Sequence, residues 1–146
     1  MIRPLRKTAF FAACMAACLA GPSSAEEPVA KTPVISIELS SAEESNAACK
    51  LSFVVQNGLT SDIDQAVYET VLFDAKGQVS QLTLLDFQDL PAGRLRVRQF
   101  QFPTRCGDIS RVLINGAATC TGAGLTQGGC AQNLHLLSRT KMELAG

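Results

Sequence analysis

Tryptophan is absent, and tyrosine and histidine occur once each, as Tyr68 and His135. Aromatic residues are 5% of the 146, which leaves few ring platforms for a carbohydrate cleft. A glycosidase would also need two facing carboxylates. Here acids come as the short-range pairs Glu43/Glu44, Asp62/Asp64 and Asp86/Asp89. One histidine, with no Gly-x-Ser-x-Gly elbow and no evident partner, argues against a hydrolytic triad. With no Cys-x-x-Cys pair it also argues against a zinc site or a redox dithiol. Asp62-Ile63-Asp64 is followed by no oxygen-rich run that would complete a Ca²⁺ loop. Gly122, Gly124, Gly128 and Gly129 precede no Lys-Ser/Thr, so they do not form a phosphate loop. No metal and no cofactor are expected. Basic excess is missing too. Setting aside the three bases of the first 25 residues leaves 10 basic against 13 acidic side chains, a net charge of −3. That balance excludes a general nucleic-acid binder. What remains is 47% apolar content in a length suited to one ordered domain.

The N-terminus has three parts. Met1 to Lys7 (MIRPLRK) is basic, and Thr8 to Ala20 (TAFFAACMAACLA) is a mainly apolar stretch of 13 residues. A membrane span needs about 20. Gly21-Pro22 and Ser23-Ser24-Ala25 then supply a break and small residues before Glu26. This pattern predicts a cleaved Sec-type signal peptide over 1–25 and a periplasmic or secreted protein with no transmembrane segment in its mature form. Cys18, after Met15-Ala16-Ala17, weakly resembles a lipobox, so a lipid-anchored envelope subunit is the alternative. Residues 26–33 (EEPVAKTP) read as a tether, and 34–146 as the domain.

Four cysteines remain in the mature chain: Cys49, Cys106, Cys120 and Cys130. An even number in an exported domain reads as disulfides, with three connectivities open. Cys120–Cys130 with Cys49–Cys106 is favoured, because the first bridge would clip a glycine-rich loop that can bury little by itself.

From Val34 the hydrophobic pattern has a period of two. Ile35, Ile37 and Leu39 share one face, as do Cys49, Leu51, Phe53 and Val55, before the turn signal Asn57-Gly58. Further strands are expected at 65–74, 78–87, 94–102, 109–114 (ended by Asn115-Gly116) and 134–144. Only 40–47 (SSAEESNA) offers a helical turn, with a serine cap and Glu43 and Glu44 in the first turn. About seven short strands with regular turn signals predict an all-β, single immunoglobulin-like antiparallel β-sandwich with disulfides.

Phe53, Val55 and Asn57, then Thr70-Val71-Leu72-Phe73-Asp74-Ala75-Lys76-Gly77, then Leu90-Pro91-Ala92-Gly93 resemble the FxLYD-type domains, immunoglobulin-like sandwiches of exported bacterial proteins. Thr70 and Phe73 stand where that signature has Phe and Tyr, and the cysteines are extra. Asp74 with Gly77, Pro91 to Arg94 and Arg111 to Asn115 resemble more closely a secreted, cysteine-bearing alphaproteobacterial group usually labelled only by its signal sequence. Both resemblances imply a sandwich, and neither implies a catalytic residue. In turn chemistry, Asp74 would accept turn amides, while Gly77 would take a positive φ.

The most specific candidate site is Arg94, Arg96 and Arg98. These alternate at about 6.8 Å along a strand, with Leu95 and Val97 expected to face the core. Phe100 and Phe102 fall on the arginine register, which suggests a bulge near Arg98-Gln99. Three guanidinium groups in a row suit an anionic ligand or an acidic protein partner. They equally suit a solvated face paired to Asp86 and Asp89, or edge protection. The composite expectation is a non-enzymatic binding or envelope-accessory module. A small periplasmic hydrolase with an unrecognised site is the alternative.

Overall fold

The computed structural model describes residues 34–146. The expected signal peptide and tether at 1–33, including Cys18, lie outside the described residues. Period-two alternation becomes eight strands in two sheets of four. They are β1 (Ile35–Ser45), β2 (Ala48–Asn57), β3 (Ile63–Asp74), β4 (Val79–Leu90), β5 (Leu95–Phe102), β6 (Ile109–Thr121), β7 (His135–Ser138) and β8 (Glu143–Ala145). One sheet runs β5-β2-β1-β7 and the other β4-β3-β6-β8. A short 3-10 turn, Cys106–Asp108, leads into β6. Among the described residues, no helix is long and apolar enough to cross a membrane.

The inner faces are those the alternation marked. Ile35, Ile37 and Leu39 of β1 and Cys49, Leu51, Phe53 and Val55 of β2 are fully buried against Ala66, Tyr68 and Leu72 of β3. Phe53 and Phe100 of one sheet meet Tyr68 and Phe87 of the other in edge-on and tilted contacts, with ring centroids 5.2–5.9 Å apart. Such packing adds about 0.5–1.5 kcal/mol per pair beyond area burial. The disulfides join Cys49 to Cys106 and Cys120 to Cys130, the favoured connectivity.

Three segments depart from expectation. Residues 40–47 are not helical: β1 continues to Ser45, then turns tightly at Asn46 and Ala47, both at positive φ. Its ladder to β2 decides this, with Glu43 opposite Lys50 and bonded to it at 2.9 Å. Asn115-Gly116 does not end β6. The register slips one residue there, leaving Asn115 to donate to Glu69, and the strand runs on to Thr121. The expected strand over 134–144 divides in two. Ser138 accepts from the Thr140 amide and donates to the Met142 carbonyl. These local bonds break the ladder, so the chain crosses from β1 to β6. Both β7 and β8 pair in parallel, so the sandwich is not wholly antiparallel.

The turns follow their chemistry. The Asp74 carboxylate accepts the amides of Lys76 and Gln78 at 2.8 and 2.9 Å, and Gly77 takes φ 76°. Asn57 does more than turn. It is fully buried, donates to the Leu90 and Ser61 carbonyls at 2.7 and 2.9 Å, and accepts the Leu59 amide at 2.9 Å. Its own carbonyl accepts from Gly93. One amide side chain thus ties the end of β2 to the β2–β3 loop and to the end of β4.

Candidate functional site

The arginine stripe is turned inward. β5 pairs with β2 without a slip from Leu95 opposite Gln56 to Phe102 opposite Cys49, so the expected bulge near Arg98-Gln99 does not occur. Phe102 is buried and Phe100 packs on the core. An unbroken pleat therefore puts Arg98 and Arg96 on that same inner side. Leu95 and Val97, expected in the core, are 61% and 59% exposed.

The arginines tolerate this side because β5 and β4 are edge strands of opposite sheets, and a long aliphatic stem can cover the gap between them while its head reaches a partner. Arg98 Nε donates to the Phe87 carbonyl at 2.6 Å, and its Nη2 to the Asp89 carbonyl and carboxylate at 3.0 and 3.1 Å. Arg96 Nη2 meets the other Asp89 oxygen at 3.0 Å. The hydrogen bond from Arg96, with the charges of both arginines, holds the Asp89 carboxyl below its ordinary range. Arg94 precedes the strand and is exposed, with no ion pair among the described residues. Two arginines of the three thus converge on Asp89 and on backbone carbonyls. An anion bound there would have to displace that carboxylate.

The clipped loop forms a different surface. Cys130 is buried, and its carbonyl accepts the Tyr68 hydroxyl at 2.7 Å. Burial pushes that phenol above its ordinary pKa. At the other end of the loop, a Cβ on Gly122 would come within 2.3 Å of the Asp62 carbonyl, so only glycine fits that approach. Ser61 Oγ bonds the Gly124 carbonyl at 3.4 Å. Between the two loops opens a hollow of about 240 Å³, lined by uncharged groups that include Thr60, Ser61, Thr126, Gln132 and Asn133. The pairing of the β2–β3 loop with the glycine-rich loop was not legible in the sequence.

A second hollow, of about 510 Å³, lies beside the Cys49–Cys106 bridge and is lined by Ser40, Ser41, Arg139, Thr140 and Lys141 among others. Arg139 is committed to Glu38 at 2.7 Å, which leaves Lys141 as its unpaired cation among the described residues. His135 is exposed at the start of β7, opposite Ser36. Asp62 accepts the Ala92 amide at 2.7 Å, a structural use of the residue weighed as a Ca²⁺ ligand. Among the described residues, no group of three or more His, Cys, Asp or Glu side chains could hold a metal ion.

No protein-family model matches the chain. No curated protein matches it either. Among solved structures, the chain is similar to IrmA from Escherichia coli, with 12% identity and a TM-score of 0.49, over 72% of this chain and 92% of that one.

Proposed function

We propose that the protein is an exported, non-enzymatic β-sandwich module that acts by binding a partner, with the disulfide-clipped loop as its recognition surface. The observation that carries this reading is the hollow between 59–61 and 124–133. It is built from loops yet fixed by the Cys120–Cys130 bridge, the buried Tyr68 hydroxyl and the close approach at Gly122. Loops held by a rigid scaffold are where sandwiches place recognition. Its uncharged lining suits a neutral polar surface, with Gln132, Asn133 and Thr126 supplying donors and acceptors. Two disulfides and the basic-then-apolar N-terminus support an oxidising, extracytoplasmic setting.

The test is site-specific photo-crosslinking in cells. A photoreactive residue at Gln127 or Gln132 should yield a defined adduct. One at Asn46, in the hairpin at the far end of the first sheet, should not. Equal adducts from both ends, or none from the loop, would reject the surface. Peptide sequencing of the mature N-terminus checks export: a start at Glu26 supports it, and an acylated Cys18 makes the protein a lipid-anchored subunit instead.

A further inference from the structure

β7 pairs with β1 only from Ser36 to Leu39, and the Arg139 amide donates to the Leu39 carbonyl as the chain departs. β1 itself runs on to Ser45, with no strand on that side among the described residues. Its register with β2 skips Ser40, which sets Ala42 opposite the buried Leu51 and so turns it inward. The hollow of about 510 Å³ lies here, between this stretch of β1, the 3-10 turn and the β7–β8 crossing. Each wall is pinned to another part of the chain. Cys106 is bridged to Cys49, and its amide donates to Glu44 at 2.8 Å. The crossing is held by Arg139 on Glu38 at 2.7 Å and by Ser138 on the Met142 carbonyl at 2.6 Å. A preformed hollow of this size is in the range of small-molecule sites.

Its lining is two-sided. Ala42, Ile109 and Met142 give it apolar groups, the last two buried. Ser40, whose hydroxyl makes no hydrogen bond among the described residues, and Lys141 give it donors. Lys76, Arg94 and Lys141 make no ion pair among the described residues, and of these only Lys141 borders either hollow. We propose that this hollow binds a small monocarboxylate with an apolar tail, its head on Lys141 and Ser40 and its tail against Ala42, Ile109 and Met142. Charge selects that class. No acid lines the hollow, and of its two cations Arg139 is already matched by Glu38. Glu44 borders a different hollow, with Arg105 and Asp108. One unmatched ammonium balances a monoanion, whereas a phosphate dianion would leave charge over. A carboxylate there takes charge-assisted hydrogen bonds, and the apolar side favours a tail over a bare ion. The inference is independent of the loop reading, since this hollow flanks the start of β6 and the clipped loop follows its end.

Titration of the disulfide-bonded protein with octanoate, followed by amide resonances, tests it. Saturable shifts are expected at Ser41, Ala42, Gly107 and Thr140, with Gly124 and Gln132 of the clipped loop unmoved. Acetate, which lacks the tail, and octanamide, which lacks the charge, should each bind at least tenfold more weakly. Lys141→Glu should raise the octanoate Kd at least tenfold, while Lys141→Arg should keep it within threefold. Lys141 is exposed, so both variants should fold, which near-ultraviolet circular dichroism checks. No saturable shift at the four amides, or shifts confined to the clipped loop, would overturn the proposal. An octanoate Kd indifferent to Lys141→Glu, or octanamide binding as tightly as octanoate, overturns it equally. Inorganic phosphate binding more tightly than octanoate would reject the monocarboxylate class.

Discussion

Replacing Asn57 by alanine tests how the end of the sandwich is held. The side chain makes three hydrogen bonds: two donated, to the Leu90 and Ser61 carbonyls, and one accepted from the Leu59 amide. At about 1 kcal/mol net for each bond, the loss is about 3 kcal/mol, and the buried Leu90 carbonyl keeps it from being smaller. For a domain of this size that lowers Tm by about 10–15 °C. Urea unfolding with both disulfides intact measures it, and the slope should match the parent's because the exposed surface is unchanged. Asn57→Asp sharpens the test. It retains the acceptor for Leu59 but turns a carboxylate oxygen toward two carbonyl oxygens. The introduced carboxyl would therefore have a folded-state pKa above its unfolded value of about 3.9. Its penalty is small below that pH, where the protonated form can still donate once, and grows as pH rises through and above it. The variant should be less stable than Asn57→Ala at pH 7 and should recover relative to it near pH 3.5. A loss under 1 kcal/mol for alanine, or no pH dependence for aspartate, would refute the assignment of Asn57 as a tie between β2 and β4.

Three further outcomes follow from the same structure. Arg98→Ala should lower stability by about 1–2 kcal/mol in urea, since a charged donor to two carbonyls and a carboxylate is lost, whereas Arg94→Ala should stay within about 0.5 kcal/mol. Replacing Cys120 and Cys130 together by serine should cost about 3 kcal/mol less any relieved strain, and should open residues 121–129 to limited proteolysis while Cys49–Cys106 stays intact. Tyr68 is the sole tyrosine in a chain without tryptophan, so phenolate absorbance reports it alone. Because its pKa is raised by burial, the folded protein should show no phenolate at pH 10–11. Its contribution to stability is complete below about pH 10 and falls as pH rises further, since only the unfolded chain then ionises. Phenolate appearing at pH 10 without loss of near-ultraviolet dichroism would contradict the buried hydroxyl.

The inner faces of β1 and β2 were legible because each alternates apolar with polar groups and is paired to a strand on both sides. The disulfide pairing was favoured from the glycine-rich loop that one bridge would clip, and it is the one observed. β5 was not, and the reason is physical. Leu95 and Val97 outrank arginine on any scale of burial, so local preference places them inward, and only an imagined bulge could then reconcile Phe100 and Phe102. An unbroken pleat reads the other way: the two phenylalanines fix the inner register, and the arginines share it. What makes that arrangement stable lies outside the strand, in the Phe87 and Asp89 carbonyls and the Asp89 carboxylate of a strand belonging to the opposite sheet. The same holds for Asn57, whose main acceptor, Leu90, is 33 residues away, and for residues 40–47, whose helix-like acids are recruited by Lys50 and by the Cys106 amide. Asn57 and residues 40–47 were given local roles when their partners lay elsewhere, whereas Asp89 was weighed in the sequence as a partner of the arginines and does pair with Arg96 and Arg98. The cations that would have made a surface for anions instead close half of the β4 edge. This shifts the search for partners to the clipped loop.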